Sequence, residues 1–306
     1  MMIERVILVN AERTRRGTDK VYTVEEASGL LDFLLKTLTG KSRNNVKSLL
    51  TNKTVSVDGK TVTRHGHQLK QGQTVVIASP EHMLQKQYRQ LKILYEDDEL
   101  IAIDKPAGLL SVATDDEKEK TAYHLMTDYI RIADPKGRIF VVHRLDRDTS
   151  GVLIAAKNER LKLALQDNWN DLVKTRGYIA IVEGVPKNKS GQIKSWLRET
   201  KTFLTYSSGT PGDGQEAVTA YETVEASQNY ALLKITIETG RKNQIRVHMK
   251  ELGHPVVGDK KYGAKTNPLG RLCLHADLLE LRHPFTNRLM AFKSPVPKGF
   301  LALLRP

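Results

Sequence analysis

The sequence has a single cysteine and no long apolar segment. Cys273 cannot form a disulfide within the chain and cannot supply the several thiolates of a structural zinc site. Its neighbours Leu272 and Leu274 indicate a buried thiol in a strand, which suits a reducing compartment. No stretch approaches the ~18 consecutive apolar residues of a membrane helix, and the apolar run at residues 6–9 is too short for the core of a signal peptide. We therefore expect a cytoplasmic protein that does not insert into a membrane.

Acidic residues are few relative to basic ones. The 306 residues include 48 Lys and Arg against 35 Asp and Glu, which gives a formal net charge of +13. Such an excess favours a polyanionic partner such as a nucleic acid, although a basic protein without that role can have the same composition. Hydrophobic residues make up 40% of the chain, so a sizeable core can form, and the length fits one large domain with a small one.

Residues 24–77 have the pattern of a small α/β unit. Leucines and a phenylalanine between residues 30 and 38 predict a first helix, and Ser42 is a candidate cap for a second helix. Asp58-Gly59 stands between two short alternating runs, which predicts a hairpin because a tight primed turn needs positive φ angles. A last strand is predicted at 74–77.

Basic residues are concentrated in this small unit. Between residues 36 and 70 the acidic Asp58 stands against eight basic residues, which are Lys36, Lys41, Arg43, Lys47, Lys53, Lys60, Arg64 and Lys70. Such a surface can follow a phosphate backbone, although a charge run is usually a solvated face. The unit resembles the S-four RNA-binding domain, on Lys41-Ser42-Arg43 at the start of the second helix and on the hairpin at 55–60. The resemblance implies an RNA-binding domain at residues 21–80, after an N-terminal extension at 1–20, with RNA contacts from Lys41, Arg43, Lys47 and Lys60.

The rest of the chain predicts a second, larger domain. Residues 79–90 are polar and charged and indicate a linker, and residues 91–306 mix strand-like and helix-like segments without strict βαβ repetition. This mixture predicts an α+β domain with a mixed, mostly antiparallel central sheet and flanking helices. Within it, the apolar spacing at 244–252 indicates a helix, and the stretch at 205–215, rich in glycine and serine, indicates a flexible loop.

The segment at 143–151 concentrates reactive side chains. It places two carboxylates, Asp146 and Asp148, with three cationic or titratable groups and two hydroxyls in nine residues. An apolar strand is predicted directly after it, and polar groups beside a buried strand are costly unless they are paired. The pattern therefore indicates a functional site at the start of that strand, or else an exposed loop of ion pairs.

The same segment resembles the signature of the RluA/RluD-like pseudouridine synthases, in which His-Arg-Leu-Asp followed by Thr-Ser-Gly surrounds the catalytic aspartate. The resemblance runs from about residue 91 to residue 300 through further motifs in the same order, namely 104–110, Tyr178 within 177–180, 239–248 with 252–259, Leu274-His275-Ala276 and His283-Pro284. One departure is Asn243, where the family often has histidine. The resemblance implies the pseudouridine synthase fold over residues 91–306 and the isomerisation of uridine to pseudouridine in structured RNA.

The resemblance also implies roles for five residues. Asp146 is the catalytic carboxylate, and Arg246 is the guanidinium that keeps it charged through a bidentate pair, because such a pair lowers a carboxylate pKa. Tyr178 stacks on the flipped uracil, Arg144 enters the RNA stack in place of the base, and Arg241 contacts RNA. The isomerisation is redox-neutral and involves no net hydrolysis, so we expect neither a cofactor nor a metal ion.

Three histidines are possible metal ligands, namely His143, His248 and His254. No carboxylate or cysteine stands at ligand spacing beside them, so the sequence predicts no metal there. His143 is interpreted instead as a structural or RNA-contacting residue.

Two other functions stay open on the sequence. One is a catalytically inactive RNA-binding or ribosome-assembly factor on the same fold, and the other is a glycosidase-type hydrolase that uses Asp146 and Asp148 as a carboxylate pair. The resemblance points to large-subunit ribosomal RNA as the usual substrate of synthases with such an N-terminal domain, whereas some relatives modify transfer RNA. It implies no protein partner.

Overall fold

The structure is a computed structural model that describes residues 7–8, 19–40, 42–51, 53–78, 91–114, 117 and 121–305. The chain forms two compact units, one within residues 15–89 and the other within residues 1–14 and 90–306. The linker predicted at 79–90 and most of the extension predicted at 1–20 lie outside the described residues.

The secondary structure alternates short strands and helices along both units. The strands, in chain order, are β1 (Ile7–Leu8), β2 (Lys20–Thr23), β3 (Ser28–Gly29), β4 (Val55–Val57), β5 (Lys60–Thr61), β6 (Gln68–Leu69), β7 (Thr74–Ile77), β8 (Lys92–Glu96), β9 (Leu100–Lys105), β10 (Phe140–Val141), β11 (Ser150–Ala156), β12 (Val173–Glu183), β13 (Ser190–Glu199), β14 (Thr205–Ser208), β15 (Gln215–Ala226), β16 (Tyr230–Ile237), β17 (Leu274–Arg282) and β18 (Leu289–Lys293). The helices are α1 (Leu30–Thr37), α2 (Arg43–Thr51), α3 (Ala122–Ala133), α4 (Glu159–Asp167), α5 (Trp169–Leu172), α6 (Gln244–Glu251) and α7 (Lys298–Ala302), with a 3₁₀ turn at Lys260–Tyr262.

The small unit packs α1 and α2 into one apolar core with its strands. β2, β7, β4 and β5 form an antiparallel sheet in that order, and β3 pairs with β6. Leu34 of α1, Leu50 of α2 and Val75 of β7 are fully buried together. The Ser42 hydroxyl accepts the backbone N–H of Asn45 at 3.3 Å, so the predicted cap of the second helix is confirmed.

The hairpin between β4 and β5 turns at Asp58 and Gly59, as predicted. Their φ angles are 48° and 77°, which is the backbone that a primed turn requires. The Asp58 carboxylate accepts the backbone N–H of Thr74 and the side-chain amide of Gln73, both at 2.8 Å, and these bonds lower the pKa of Asp58. The acidic residue among the basic ones therefore holds the hairpin against β7.

The large unit is built on one wide sheet. Among the described residues twelve strands join it, with the order β14-β13-β15-β16-β12-β17-β11-β9-β8, while β10 pairs with β11, β18 with β17 and β1 with β18. β11 and β17 are parallel, β1 and β18 are parallel, and the other pairs in the described part are antiparallel. The predicted mixed, mostly antiparallel sheet with flanking helices is confirmed.

The centre of the sheet is apolar on both faces. All seven residues of β11 are buried, as expected for a strand that is covered on both sides. Leu161 and Leu165 of α4 pack near β9 and β11 in one cluster, whereas Ile245 and Met249 of α6 pack with β12 and β16 in another. The second cluster fixes α6, and with it the residues at its N-terminus, against the strands that lead into the site.

The parallel pair β11–β17 requires a glycine. Gly151 has a φ of 114°, and a Cβ at this position would lie 2.1 Å from the carbonyl oxygen of Ala276. A side chain would therefore separate the two strands where they begin. The Gly that follows Thr-Ser in the 143–151 segment is explained by this close backbone approach.

One local expectation was wrong. The predicted flexible loop at 205–215 begins with β14, because Thr205 and Tyr206 have the β-branched and aromatic side chains that favour a strand and pair with β13 at the sheet edge. Asn158 caps α4, and Asn168, with a φ of −120° and a ψ of 24°, separates α4 from α5.

The described helices are all too short or too polar to cross a membrane. Cys273 is buried, as predicted, although it lies immediately before β17 and not within a strand. Burial raises the pKa of this thiol to about 11, so it is unreactive at neutral pH.

Candidate active site

A cleft in the large unit gathers the residues singled out in its sequence. It is lined by the 144–149 loop before β11, by Tyr178 of β12, and by the turn that leads into α6. The lining residues include Arg144, Leu145, Asp146, Thr149, Tyr178, Gly240, Arg241, Asn243 and Arg246. The catalytic candidates and the two arginines expected at RNA therefore share one cleft.

The strand order explains this convergence. β16, β12, β17 and β11 are consecutive neighbours, so the loop before β11 opens beside the start of β17 and next to β12. β16 runs antiparallel to β12, with Ile235 opposite Tyr178, and its end leads through 239–243 into α6. Segments that are distant along the chain thus meet in one cleft beside these four central strands.

Asp146 is largely buried, and burial raises the pKa of its carboxyl group. Four nearby groups oppose this effect, in the order Arg246, Arg144, the backbone N–H of Asn243 and Lys105. The N–H belongs to the N-terminus of α6, where backbone donors and the helix dipole favour an anion. The surroundings of Asp146 therefore favour its charged form, while its burial disfavours it.

The partner of Arg246 was predicted wrongly. Its guanidinium makes the bidentate pair with Asp259, with Nε to Oδ2 at 2.7 Å and Nη2 to Oδ1 at 2.8 Å, and Nη1 donates to Oδ1 of Asn243 at 2.7 Å. The side chain of Asp259 is 1% exposed, so it needs a counter-charge more than the partly accessible Asp146 does. Arg246 therefore acts on Asp146 through its charge in the cleft and not through a paired contact.

Asn243 departs from the family pattern, and its contacts are within the protein. It is buried, its side-chain amide donates to Thr205 at 3.4 Å and accepts from Arg246, and its φ of 57° lies in the left-handed region. Asparagine tolerates this backbone better than most residues and is common before a helix. The sequence showed Asn243 only as a departure from the family pattern, and the structure gives it a role in holding Arg246 and orienting an N–H toward Asp146.

Tyr178 presents its phenol to the same space. Burial raises the pKa of Tyr178 to about 12, Arg176 lowers it and Asp146 raises it further. The phenol is therefore neutral near pH 7 and can donate its proton in a hydrogen bond.

The three histidines that could have formed a metal site each make hydrogen bonds to different parts of the protein. Nε2 of His143 accepts the backbone N–H of Ile154 at 3.0 Å, and burial lowers the pKa of His143 to about 3, so its role is structural. His248 bonds to Ser195 and Thr219, and His254 bonds to the carbonyl of Glu183. In the part of the chain that the structure describes, no group of three His, Cys, Asp or Glu is placed to hold a metal ion.

The carboxylate pair of the hydrolase alternative does not share a site. Asp148 is exposed and lines a neighbouring depression with Asp259, Lys260 and Arg271, whereas Asp146 lines the cleft. Glycosidases need both carboxylates beside one sugar. This arrangement removes the geometric basis for that reading.

Lys105, in the first motif, has a role that the sequence did not reveal. Its side chain is fully buried, and Nζ donates to the carbonyls of Pro106, Leu109 and Arg147 at 3.1, 2.7 and 3.0 Å. Burial lowers the pKa of Lys105 to about 7, which Asp148 and Asp146 partly offset. The ammonium group thus ties the 106–109 loop to the segment that carries Asp146. The 106–109 loop lines a depression of its own with Arg147.

Most of the residues that we expect to contact RNA are exposed to solvent. Arg144 and Arg241 are exposed at the cleft, and Arg43 and Lys60 are exposed on the small unit. Lys47 is half-buried, and Lys41 lies outside the described residues.

Comparison with known proteins gives one consistent result. Residues 99–251 match the family model described as RNA pseudouridylate synthase. The chain is 31% identical over 295 residues to the uncharacterized RNA pseudouridine synthase YhcT of Bacillus subtilis, covering 95% of this chain and 97% of that one. It is 34% identical to ribosomal large subunit pseudouridine synthase D of Vibrio cholerae, covering 87% and 86% of the two chains.

A solved structure supports the fold. Human RNA pseudouridylate synthase domain containing 4 superposes with a TM-score of 0.57 at 22% identity, over 69% of this chain and 90% of that one. The fold, the family match and the identity over nearly the whole length agree, and we conclude that this chain belongs to the RNA pseudouridine synthase family.

Proposed function

We propose that Asp146 is the catalytic carboxylate of this RNA pseudouridine synthase and that its substrate is a uridine flipped into the cleft. The observation that carries the proposal is the position of Asp146, which is largely buried and surrounded by Arg246, Arg144 and the N-terminus of α6. A buried carboxylate with such neighbours is placed to act on a charged reaction centre.

The chemistry is an isomerisation within one nucleotide. The N1–C1′ bond breaks, the uracil turns, and a C5–C1′ bond forms, after which the C5 proton leaves and N1 holds a proton. The Asp146 carboxylate supplies the negative charge or nucleophile that this exchange needs. Tyr178 stacks on the extruded base with its hydroxyl available as a donor, and Arg144 at the rim takes the place of the base in the RNA stack.

We propose large-subunit ribosomal RNA as the substrate. Similar proteins with that substrate in their names span most of this chain. The small unit, which we propose as an S-four-like RNA-binding domain over residues 21–80, presents Arg43 and Lys60 to solvent within the stretch 36–70, where eight basic residues stand against Asp58. A large, structured polyanion matches that surface.

Tritium release tests the reaction directly. A large-subunit ribosomal RNA transcript labelled with tritium at C5 of uridine loses its label only when the C5–C1′ bond forms. We expect the wild-type protein to release tritium, Asp146→Asn to release none above background, and the exposed-carboxylate control Asp148→Asn to keep most of the activity. Absence of release by the wild-type protein would favour the inactive RNA-binding factor, and free uracil among the products would favour a hydrolase.

Mapping completes the test of the substrate. Pseudouridines in large-subunit ribosomal RNA from cells with and without this protein should differ at one or more uridines. Unchanged ribosomal RNA together with altered transfer RNA would overturn the ribosomal assignment and leave the catalytic one intact.

A further inference from the structure

The turn between β13 and β14 exposes a large aromatic side chain in a strained backbone. Phe203 is 68% exposed and has a φ of 59°. Positive φ is unusual for a bulky residue, and an exposed phenylalanine adds nothing to the apolar core. Both features are costs to folding, so the position of this ring calls for another explanation.

Hydrogen bonds close the turn around this strained residue. The backbone N–H of Phe203 donates to the carbonyl of Thr200 at 2.9 Å. Leu204 donates its N–H to the Thr200 hydroxyl at 3.1 Å and accepts the N–H of Thr200 at 2.9 Å. The backbone that carries the ring is thus part of a closed turn.

Two lysines connect this turn to the cleft. Nζ of Lys261 donates to the carbonyl of Phe203 at 2.8 Å, and Lys261 follows closely after Asp259, the partner of Arg246. Nζ of Lys242 lies 5.3 Å from the centre of the Phe203 ring, and Lys242 stands between Arg241 and Asn243, which both line the cleft. Phe203 therefore contacts the turn at 241–243, which lines the cleft, and the segment at 259–261, which holds the partner of Arg246.

A charged path leads from the cleft toward the turn. Arg241 lines the cleft and also a depression that it shares with Arg198, Lys242 and Gly214. Lys242 pairs with Glu199, and Arg198 pairs with Asp213 at 2.5 Å, while Nε of Arg241 donates to the carbonyl of Glu216. The cations exceed the acidic groups, so the path is suited to a polyanionic chain.

We propose that Phe203 is a stacking platform for an unpaired base of the RNA strand that adjoins the flipped uridine. The proposal rests on the proposed function and adds a binding residue to it. Bases outside a duplex stack on aromatic side chains, and flanking cations bind the adjacent phosphates. The cation of Lys242 over one face of the ring and the arginine shared with the cleft favour RNA, stacked on the other face, over an apolar protein partner as the occupant.

The test compares substitutions that separate stacking from structure. In an Asp146→Asn background, filter binding of the large-subunit transcript is measured at raised salt, where phosphate contacts contribute less. We expect Phe203→Ala to weaken binding by about 10-fold, the loss typical of one base stacked on an aromatic ring. Phe203→Tyr should restore binding, whereas Phe203→Leu, which is apolar but not aromatic, should not.

The matched control is Phe285→Ala. Phe285 is also an exposed phenylalanine, 38% accessible, with the cation of Arg160 4.0 Å from its ring centre, and it follows β17 at the end away from the cleft. Its removal should leave RNA binding unchanged. Phe203→Gly should bind as weakly as Phe203→Ala without a fall in Tm, because glycine relieves the positive φ.

Turnover provides the second readout. In the active protein, Phe203→Ala should lower kcat/KM for tritium release with kcat at saturating RNA preserved. Binding by Phe203→Ala or Phe203→Leu equal to that of the wild-type residue would overturn the proposal and leave the ring to a protein partner. Should the wild-type protein release no tritium, the proposed function fails, while the binding comparison still decides whether Phe203 contacts RNA.

Discussion

Arg246 forms its ion pair with Asp259. Asp259 lies within the motif at 252–259, but the sequence did not identify it as the partner of Arg246. The sequence resemblance correctly brought Asp146, Tyr178 and Arg246 to one cleft, but spacing along a chain does not reveal which of two carboxylates a guanidinium will meet. The choice depends on burial, and Asp259 is the more buried of the two. The structural role of Asn243 was missed for a similar reason, because its left-handed backbone conformation depends on tertiary packing and has no local sequence signal.

The Arg246–Asp259 ion pair leads to a stability prediction. Asp259→Asn leaves a buried guanidinium without its counter-charge, so we expect the free energy of unfolding to fall by about 3–5 kcal/mol. Urea denaturation measures the change. The control is Asp148→Asn, an exposed carboxylate whose loss should alter stability by less than about 0.5 kcal/mol. Equal stability of Asp259→Asn and wild type would contradict the pairing.

Asp146, the proposed catalytic carboxylate, should reduce the stability of the folded protein at neutral pH. Burial raises its pKa above the ordinary value of 3.8, so the folded state binds this proton more tightly than the unfolded state does. Stability is therefore lost as the pH rises from 3.8 through the folded-state pKa. Asp146→Asn removes this loss, and we expect its Tm to exceed that of the wild type by a few degrees at pH 7.

Thermal unfolding at two pH values tests whether the charge on Asp146 lowers or raises the stability of the folded protein. The advantage of Asp146→Asn at pH 7 should shrink below pH 3.8, where the wild-type carboxyl group is protonated in both states. A variant that is less stable than wild type at neutral pH would show that the cations around Asp146 outweigh its burial.

At the scale of elements, the predictions succeeded where apolar periodicity was strong. β11, α6 and the hairpin at Asp58-Gly59 follow directly from a buried run, a helical face and a turn signal. β14 was missed because a glycine- and serine-rich stretch hides a short edge strand whose pairing depends on β13. Pairing partners, including the parallel contact of β11 with β17, are set by tertiary packing and have no local signal.

The β11–β17 contact gives a prediction at this scale. Gly151→Ala places a Cβ against the backbone of Ala276, so the strands must separate and the loop that carries Asp146 must shift. We expect a loss of more than about 4 kcal/mol or failure to fold, measured by urea denaturation or by soluble yield. Gly209→Ala is the control, since nothing lies within 4 Å of its Cβ position and its stability should be unchanged.

At the scale of the whole molecule, the chain forms two compact units, and we propose that the smaller one adds RNA affinity to the chemistry of the larger one. Replacing Arg43, Lys47 and Lys60 with glutamine removes three charges from the small unit. We expect KM for the ribosomal transcript to rise and kcat to hold, and the slope of log affinity against log salt to decrease by about 2–3.

A charge-preserving variant is the matched control for this change. Arg43→Lys, Lys47→Arg and Lys60→Arg together keep the three charges and should keep the salt slope of the wild-type protein. An unchanged slope in the glutamine variant would show that these side chains do not meet phosphates, and the RNA-binding assignment of the small unit would be lost.

The Arg246–Asp259 ion pair also bears on which molecule must rearrange during turnover. Because Asn243 and Asp259 hold the guanidinium in the free protein, the electric field at Asp146 is set before any nucleotide arrives. The side chains of the cleft then need little rearrangement when RNA binds. The larger conformational change occurs in the RNA, because the uridine must unstack from its neighbouring bases. We therefore expect the cleft to accept uridines in loosely stacked RNA most readily.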